Sequence, residues 1–279
     1  MVSRIGSHVA VAGGLVKTGV GEADLIGAEI IQFFAGNPRG WARAAVDPAA
    51  DEAFRTACRE RDLAVVVHAP HLINLCSPSG LVVERSADLL EVTMRRAAAL
   101  GAGAVVVHAG SLVTESRRGE VLGGLRDLVL PVVDRWDEVQ LLIEPTAGAG
   151  AAAASTFESS IEYLAALHDE RIGLCLDTCH LHAAGEDLMD VAAMESVLTA
   201  LGPQRIGLVH VNDSRDPVGS RRDRHESIGL GTIGLTGVES VLAVPSLRDV
   251  PLLVETPTHA RDVALLKDLR AGRPSVVTY

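Results

Sequence analysis

Eight short runs of apolar, largely β-branched residues recur along the chain, and longer stretches of helical periodicity separate them. The runs fall at 3–9, 28–35, 64–69, 104–109, 139–145, 172–178, 206–213 and 250–256, and two are spelled identically, AVVVHA at 64–69 and at 104–109. Runs this uniformly apolar predict strands buried on both faces, and their alternation with helices predicts a parallel sheet covered by helices. At 279 residues the leading solution is a closed α/β barrel, the (β/α)8 TIM barrel, as a single domain over 1–279. A doubly wound open sheet is the alternative, but no GxGxxG follows the first run to favour its dinucleotide-binding form. Among the helical segments, SADLLEVTMRRAAALGA has a Gly stop and TFESSIEYLAALHD opens with a Ser/Thr–Glu capping pattern. The alanine-rich TAGAGAAAAST at 146–156 reads as a loop between a strand and a helix.

In such a barrel the chemistry sits at the C-terminal ends of the strands, where the βα loops converge. From the third run onward those ends are His68, His108, Glu144, Asp177, His210 and Glu255. Two loops add His180, three residues after Asp177, and the pair Asp223 and His225. Any one of these alone is ordinary, because a strand-end His is commonly a hydrogen-bonded structural residue and a strand-end carboxylate commonly caps the next helix. Six around one ring would bring several carboxylates together, and buried charges without partners cost several kcal/mol each. The arginines lie mostly on predicted helices and loops, so metal cations are the natural compensators. Imidazole with carboxylate suits zinc, manganese or iron. Nine donors are too many for one ion and suit two or three, an arrangement fitted to phosphoryl chemistry.

Composition bounds the remaining choices. Apolar residues make up 48% of the chain but aromatics only 3%, so the core must be built from Ala, Val, Leu and Ile. The net charge of −11 argues against a nucleic-acid partner for the molecule as a whole, although bound cations or a local basic stripe reverse that argument locally. Cys58, Cys76, Cys175 and Cys179 show no disulfide framework and are expected to be reduced thiols. The Cys175/Cys179 spacing would allow a soft-metal pair, but CLDTC begins inside an apolar run, which favours core cysteine. MVSRIGSHVA lacks an apolar leader segment and no apolar run approaches the roughly 18 residues of a membrane span. A cytoplasmic protein without a membrane partner is expected.

The motifs resemble the endonuclease IV family of zinc-dependent apurinic/apyrimidinic endonucleases along nearly the whole chain. The resemblance runs through GSHVAVAGG (6–14), NPRGW (37–41), HAPHLINL (68–75), VHAG (107–110), IEPTAG (143–148), LDTCHLHAAGED (176–187), HVNDS (210–214), GSRRDRHESIGLGTIG (219–234) and LLVETP (252–257). It implies a trinuclear zinc site, with manganese possible at some positions: His68, His108 and Glu144 on one ion, and Glu144 bridging to a second held with Asp177, His210 and Glu255. His180, Asp223 and His225 would hold the third. The implied reaction is hydrolysis of the phosphodiester 5′ to an abasic site in duplex DNA, leaving a 3′-hydroxyl, with a 3′-phosphodiesterase activity as a related option. Glu144 and Glu255 would be the catalytic carboxylates, Glu255 orienting or deprotonating the nucleophile.

The resemblance further implies DNA contacts from Arg39, Trp41, His71, Leu72 and Asn74 in two loops, which would wedge into the duplex. Arg221, Arg222 and Arg224 would form a basic patch beside the third ion, and a monomer is implied. The glycines of IGLGTIG are expected to permit tight turns and not to cradle phosphate. This chain departs from the family at His71, where Tyr is frequent, at Pro145, where Asn is frequent, and in the alanine-rich loop. Two rivals stand beside this reading: a metal-dependent sugar isomerase or epimerase related to xylose isomerase, and an inactive abasic-DNA-binding protein. The third ligand set discriminates against the first, and the intact nine donors against the second.

Overall fold

The computed structural model describes residues 3–42 and 45–273. Eight parallel strands appear where the apolar runs predict them: β1 (Ile5–His8), β2 (Ile30–Phe34), β3 (Ala64–His68), β4 (Ala104–His108), β5 (Gln140–Glu144), β6 (Ile172–Asp177), β7 (Ile206–His210) and β8 (Leu252–Val254). Each pairs with its neighbours in chain order, and β8 closes onto β1 with Leu252 opposite Ile5 and Leu253 opposite Gly6. That closure excludes the open sheet.

Strand parity explains why the runs read as continuously apolar. Ile30, Val66, Ala104, Val106, Leu142, Cys175, Leu208 and Leu253 face inward and form a small cluster inside the barrel. Residues of the other parity, among them Ile31, Phe33, Val65, Val67, Leu141 and Ile143, belong to the large core shared with the helices. The interior is tight enough to dictate Gly6: a Cβ there would lie 1.6 Å from the Ile30 carbonyl oxygen, so β1 approaches β2 only without a side chain.

The helices start and stop as their local chemistry requires. Asp47 accepts from the backbone N–H of Ala49 (3.0 Å) and Ala50 (3.2 Å), with Pro48 at the first helical position, to open Pro48–Glu60. Gly80–Leu100 begins ahead of the predicted segment and ends on Gly101 in the left-handed region, φ 70°. Phe157–Leu167 has a capping box, but Thr156 pairs reciprocally with Ser159 and not with a glutamate. The alanine-rich loop is packed against the loop after β4: Leu112 N–H donates to the Ala151 carbonyl at 2.8 Å, and Ala153 N–H to Gly110 at 2.9 Å. Its small side chains permit this approach, with Ala153 and Ala154 fully buried.

One element differs from expectation. The seventh run ends as a barrel strand at His210, and Asp213–Ser214 instead pairs antiparallel with His225–Glu226 in a short ribbon. Among the described residues no helix is long and apolar enough to cross a membrane.

Candidate metal centre

The interior parity that builds the barrel also aims the polar strand ends into its mouth. His68 stands two residues beyond Val66, His108 beyond Val106, Glu144 beyond Leu142, Asp177 beyond Cys175, His210 beyond Leu208 and Glu255 beyond Leu253. Their donor atoms gather into groups whose members all lie within 4.8 Å of one another: His68, His108 and Glu144; then Glu144, Asp177, His210 and Glu255; then Asp177, His180 and His225. Asp223 completes the last group, 3.3 Å from His180 Nε2 and 3.1 Å from His225 Nε2. The ribbon after β7 is what brings Asp223 and His225 to the ring. Glu144 is central, its Oε2 3.2 Å from His68 and 3.3 Å from His108, its Oε1 3.1 Å from His210 and 3.4 Å from His180.

Hydrogen bonds behind the ring set which nitrogen each imidazole presents. His68 Nδ1 donates to the Ala69 carbonyl (2.7 Å), His180 Nδ1 to the Pro145 carbonyl (3.0 Å) and His225 Nδ1 to the Glu255 carbonyl (3.4 Å), which leaves Nε2 facing the ring in all three. The Pro145 contact uses a backbone oxygen, so the departure from Asn at this position does not remove it. Asp177 both ends β6 and caps the next helix: Oδ1 accepts from His180 N–H at 3.0 Å, and Oδ2 accepts from Asn212 Nδ2 at 2.7 Å. Asn212 is fully buried, and its Oδ1 accepts from Glu255 N–H at 2.8 Å, so one amide ties two of the carboxylate-bearing strand ends together.

The electrostatics show a ring that demands positive charge. Burial by itself would raise the Glu144 pKa, but the charges of His210 and His108 outweigh it and hold the carboxyl well below its ordinary range. Glu255 is lowered against the same penalty by His210 and by a hydrogen bond from His8, and Asp223 by the adjoining imidazoles of His180 and His225. Burial would conversely lower the imidazoles, yet His180 is pushed up to about 10 by Asp177 and Asp223, and His225 to about 9 by the same pair with Glu255.

The donor set fits metal ions. Two ligands on a tetrahedral zinc at about 2.1 Å stand about 3.4 Å apart, and the close imidazole–carboxylate pairs of the ring bracket that distance, 3.1 Å for His210–Glu144 and 3.8 Å for His210–Asp177. Among the described residues no Arg or Lys pairs with Glu144, Asp177, Asp223 or Glu255; their ion-pair partners there are all imidazoles. His225 Nε2 is buried without a hydrogen-bond partner, although Asp223 and Asp177 lie 3.1 and 3.6 Å away. An orphaned buried nitrogen facing two carboxylates is what a ligand atom looks like. Cys179 also lies within reach of Asp223 and His225, and burial pushes its thiol up to about 12. Cys175 is in the barrel interior and joins no such group among the described residues, so the two cysteines do not act as a pair.

The loops around the mouth divide the expected DNA-contacting residues. Arg39 and Trp41 are exposed in the loop after β2, and His71 N–H donates to the Pro38 carbonyl at 3.1 Å, joining this loop to the one after β3. The His71 side chain is exposed at the rim, with its ring 5.4 Å from His68 and 5.2 Å from His108, and partial desolvation, then the charges of these two, lowers it to about 4. Leu72 is half-buried beside it. Asn74 braces the β4 loop: Nδ2 donates to the Ser111 carbonyl (3.0 Å) and Oδ1 accepts from Ser111 and Cys76 N–H. Arg222 and Arg224 both turn to Asp216, which weakens the expected basic patch, while Arg221 sits at φ 57° in the left-handed region. The glycines of IGLGTIG make turns as expected. They wrap the buried Asp213 carboxylate, which accepts from the N–H groups of Gly229, Gly231, Ile233 and Gly234 at 2.9–3.2 Å.

Two residues of the ring were missed by reading strand ends only from the third run onward. His8 and Gln32 occupy the same positions on β1 and β2, two residues beyond Gly6 and Ile30, and Gly6 lies opposite Ile30 and His8 opposite Gln32. His8 Nδ1 is 3.1 Å from Glu255 Oε1, and Gln32 Nε2 donates to the same oxygen at 2.7 Å. A polar Gln inside IIQFF at interior parity was the available signal.

Closed barrel and ring of His and carboxylate donors together define a TIM-barrel protein with a metal-binding mouth. Residues 20–274 match the family described as xylose isomerase-like TIM barrel. Within it, the chain is 44% identical to "Probable endonuclease 4" of Streptomyces coelicolor, over 96% of this chain and 95% of the other. It is 36% identical to the protein of the same name from Methanoculleus marisnigri, over 92% and 93%. The crystal structure of endonuclease IV from Thermus thermophilus superposes with a TM-score of 0.82 at 34% identity, covering 96% of this chain and 98% of that one. The chain belongs to the endonuclease IV family. A D-tagatose 3-epimerase-like protein, with a TM-score of 0.71 at 16% identity, shares the fold alone.

Proposed function

We propose that this chain is a zinc-dependent DNA-repair endonuclease that hydrolyses the phosphodiester 5′ to an abasic site in duplex DNA and leaves a 3′-hydroxyl. The observation that carries the reading is the third donor group, His180, Asp223 and His225, beside the two groups that share Glu144. A sugar isomerase using one or two ions has no need of it. In this reading His68, His108 and Glu144 hold one zinc, Glu144, Asp177, His210 and Glu255 a second, and His180, Asp223 and His225 a third, with manganese able to replace some. Divalent ions there would neutralise phosphate charge and acidify water for attack. The chain's own residues do the rest. Glu144 draws four imidazoles to one point and bridges two donor groups. Glu255 is held at Oε1 by Gln32 and His8, which leaves Oε2 as the oxygen to orient or deprotonate an attacking water.

Arg39, Trp41, His71 and Leu72 at the rim supply the wedge and the phosphate contact, with His71 neutral at pH 7 and so able to lie against a base or sugar without a charge. A monomer working in the cytoplasm completes this reading. The test is incision of a duplex oligonucleotide carrying one synthetic abasic site. Wild type should cut on the 5′ side and leave a 3′-hydroxyl, and Glu255→Gln should not. A folded, metal-replete wild type that leaves the strand intact would end the endonuclease reading and bring sugar substrates forward.

A further inference from the structure

Each ligand nitrogen of a histidine must be the deprotonated one, so something has to hold the proton on the other nitrogen of the same ring. For His68, His180 and His225 that partner is a backbone carbonyl, and Nε2 is the nitrogen left facing the ring. His210 is reversed. Its Nδ1 faces Glu144, Glu255 and Asp177 at 3.1, 3.5 and 3.8 Å, and its Nε2 meets the side-chain oxygen of Gln32 at 3.1 Å. The orientation of the Gln32 amide is not free. Its other end lies 2.7 Å from Glu255 Oε1, and an ionised carboxylate only accepts, so the NH2 must point there and the oxygen must point to His210. His8 Nδ1 donates to that same Glu255 oxygen at 3.1 Å and lies 3.0 Å from the Gln32 nitrogen. The amide is fully buried, its nitrogen paired with Glu255 and its oxygen with His210.

Resting on the metal reading above, we propose that Gln32 is the positioning residue of the second donor group. It holds the proton of His210 on Nε2, so that Nδ1 is the ligand atom, and the same amide aims Glu255. Two ligand-bearing strand ends are thus set by one side chain on β2, a strand that contributes no ligand of its own. Gln32 belongs to none of the donor groups among the described residues, and its effect passes through His210 and Glu255.

The experiment has two parts. In zinc-loaded wild type with 15N-labelled histidine, long-range proton–nitrogen correlation should show His210 protonated at Nε2 and unprotonated at Nδ1, with His68, His180 and His225 the opposite way round. In Gln32→Met, which keeps the volume and loses the hydrogen bonds, chelator competition should show one ion bound about 10–100-fold more weakly and the others unchanged. kcat should fall with KM unchanged. His210 protonated on Nδ1 in wild type overturns the proposal even if the variant does not fold. A folded Gln32→Met with wild-type affinity for every ion overturns it as well. Both results leave the metal reading standing, whereas a wild type that takes up no ion at the group of Glu144, Asp177, His210 and Glu255 removes that reading itself.

Discussion

Replacing Glu144 by Gln should loosen the hold on two ions with one substitution, because Glu144 alone belongs to both the His68–His108 group and the Asp177–His210–Glu255 group. The size of the effect follows from linkage. With free zinc at about a hundred times each Kd, an ion adds about 2.7 kcal/mol of stability, and three add about 8 kcal/mol. Losing an anionic ligand should weaken binding at least as much as losing a hydrogen bond behind one, about 100-fold, which leaves each affected ion contributing only about 0.4 kcal/mol. Glu144→Gln should therefore lose about 4.6 kcal/mol of metal-linked stability, roughly 9–18 °C in Tm. Asp223→Asn touches one donor group and should lose about half of that. The assay is thermal denaturation with and without chelator, paired with metal analysis by mass spectrometry at that same free zinc: about three ions for wild type, about two for Glu144→Gln with two sites half-filled, and about two and a half for Asp223→Asn. Equal losses in the two variants, or three ions retained by Glu144→Gln, would refute the bridging role.

Arg96→Ala leaves the nearly buried Asp51 without its partner, and removing one member of such a pair costs about 3–5 kcal/mol; calorimetry should show a Tm drop on the order of 10 °C at unchanged metal content, and a drop near zero would contradict it. Trp41→Ala should weaken abasic-duplex affinity by about 1–3 kcal/mol, the range for an aromatic stacked on a base, and raise KM while kcat holds; a kcat defect alone would remove Trp41 from the DNA surface. Glu29 accepts from both Arg270 nitrogens and from Ile5 N–H, and the Arg270 hydrogen bond above all lowers its pKa from 4.5 to about 2. A carboxyl with a depressed folded-state pKa stabilises fully above its unfolded value and loses that contribution as pH falls through the folded one. Wild-type Tm should accordingly decline between about pH 4.5 and 2 more steeply than that of Glu29→Gln, and parallel curves would show that the pair carries no linkage.

Much of this molecule was legible because strand periodicity is local. A residue two positions beyond an interior one points the same way whatever the rest of the chain does, so Val66 and His68, or Leu142 and Glu144, declare their side of the sheet within three letters. The same rule carried back to Gly6–His8 and Ile30–Gln32 names the two ring members that a search for His and carboxylate from the third run onward passed over. Capping was equally local but less specific: Thr156 found Ser159 where the letters offered a glutamate.

What sequence by itself determined is the barrel, the nine donors and the kind of chemistry they suit, since each depends on residue type and on spacing of a few positions. Only the tertiary structure decided how those donors are held. The ribbon that carries Asp223 and His225 to His180 depends on Asp213 gathering four N–H groups from 16 to 21 residues away. Asn74 turned to Ser111, and Arg222 and Arg224 to Asp216, partners that the fold brings beside them. Which nitrogen His210 presents depends on Gln32, 178 residues earlier in the chain. Hydrogen bonds act over about 3 Å of space and are indifferent to distance along the chain, so closure of the barrel was needed before any of these partners could be known.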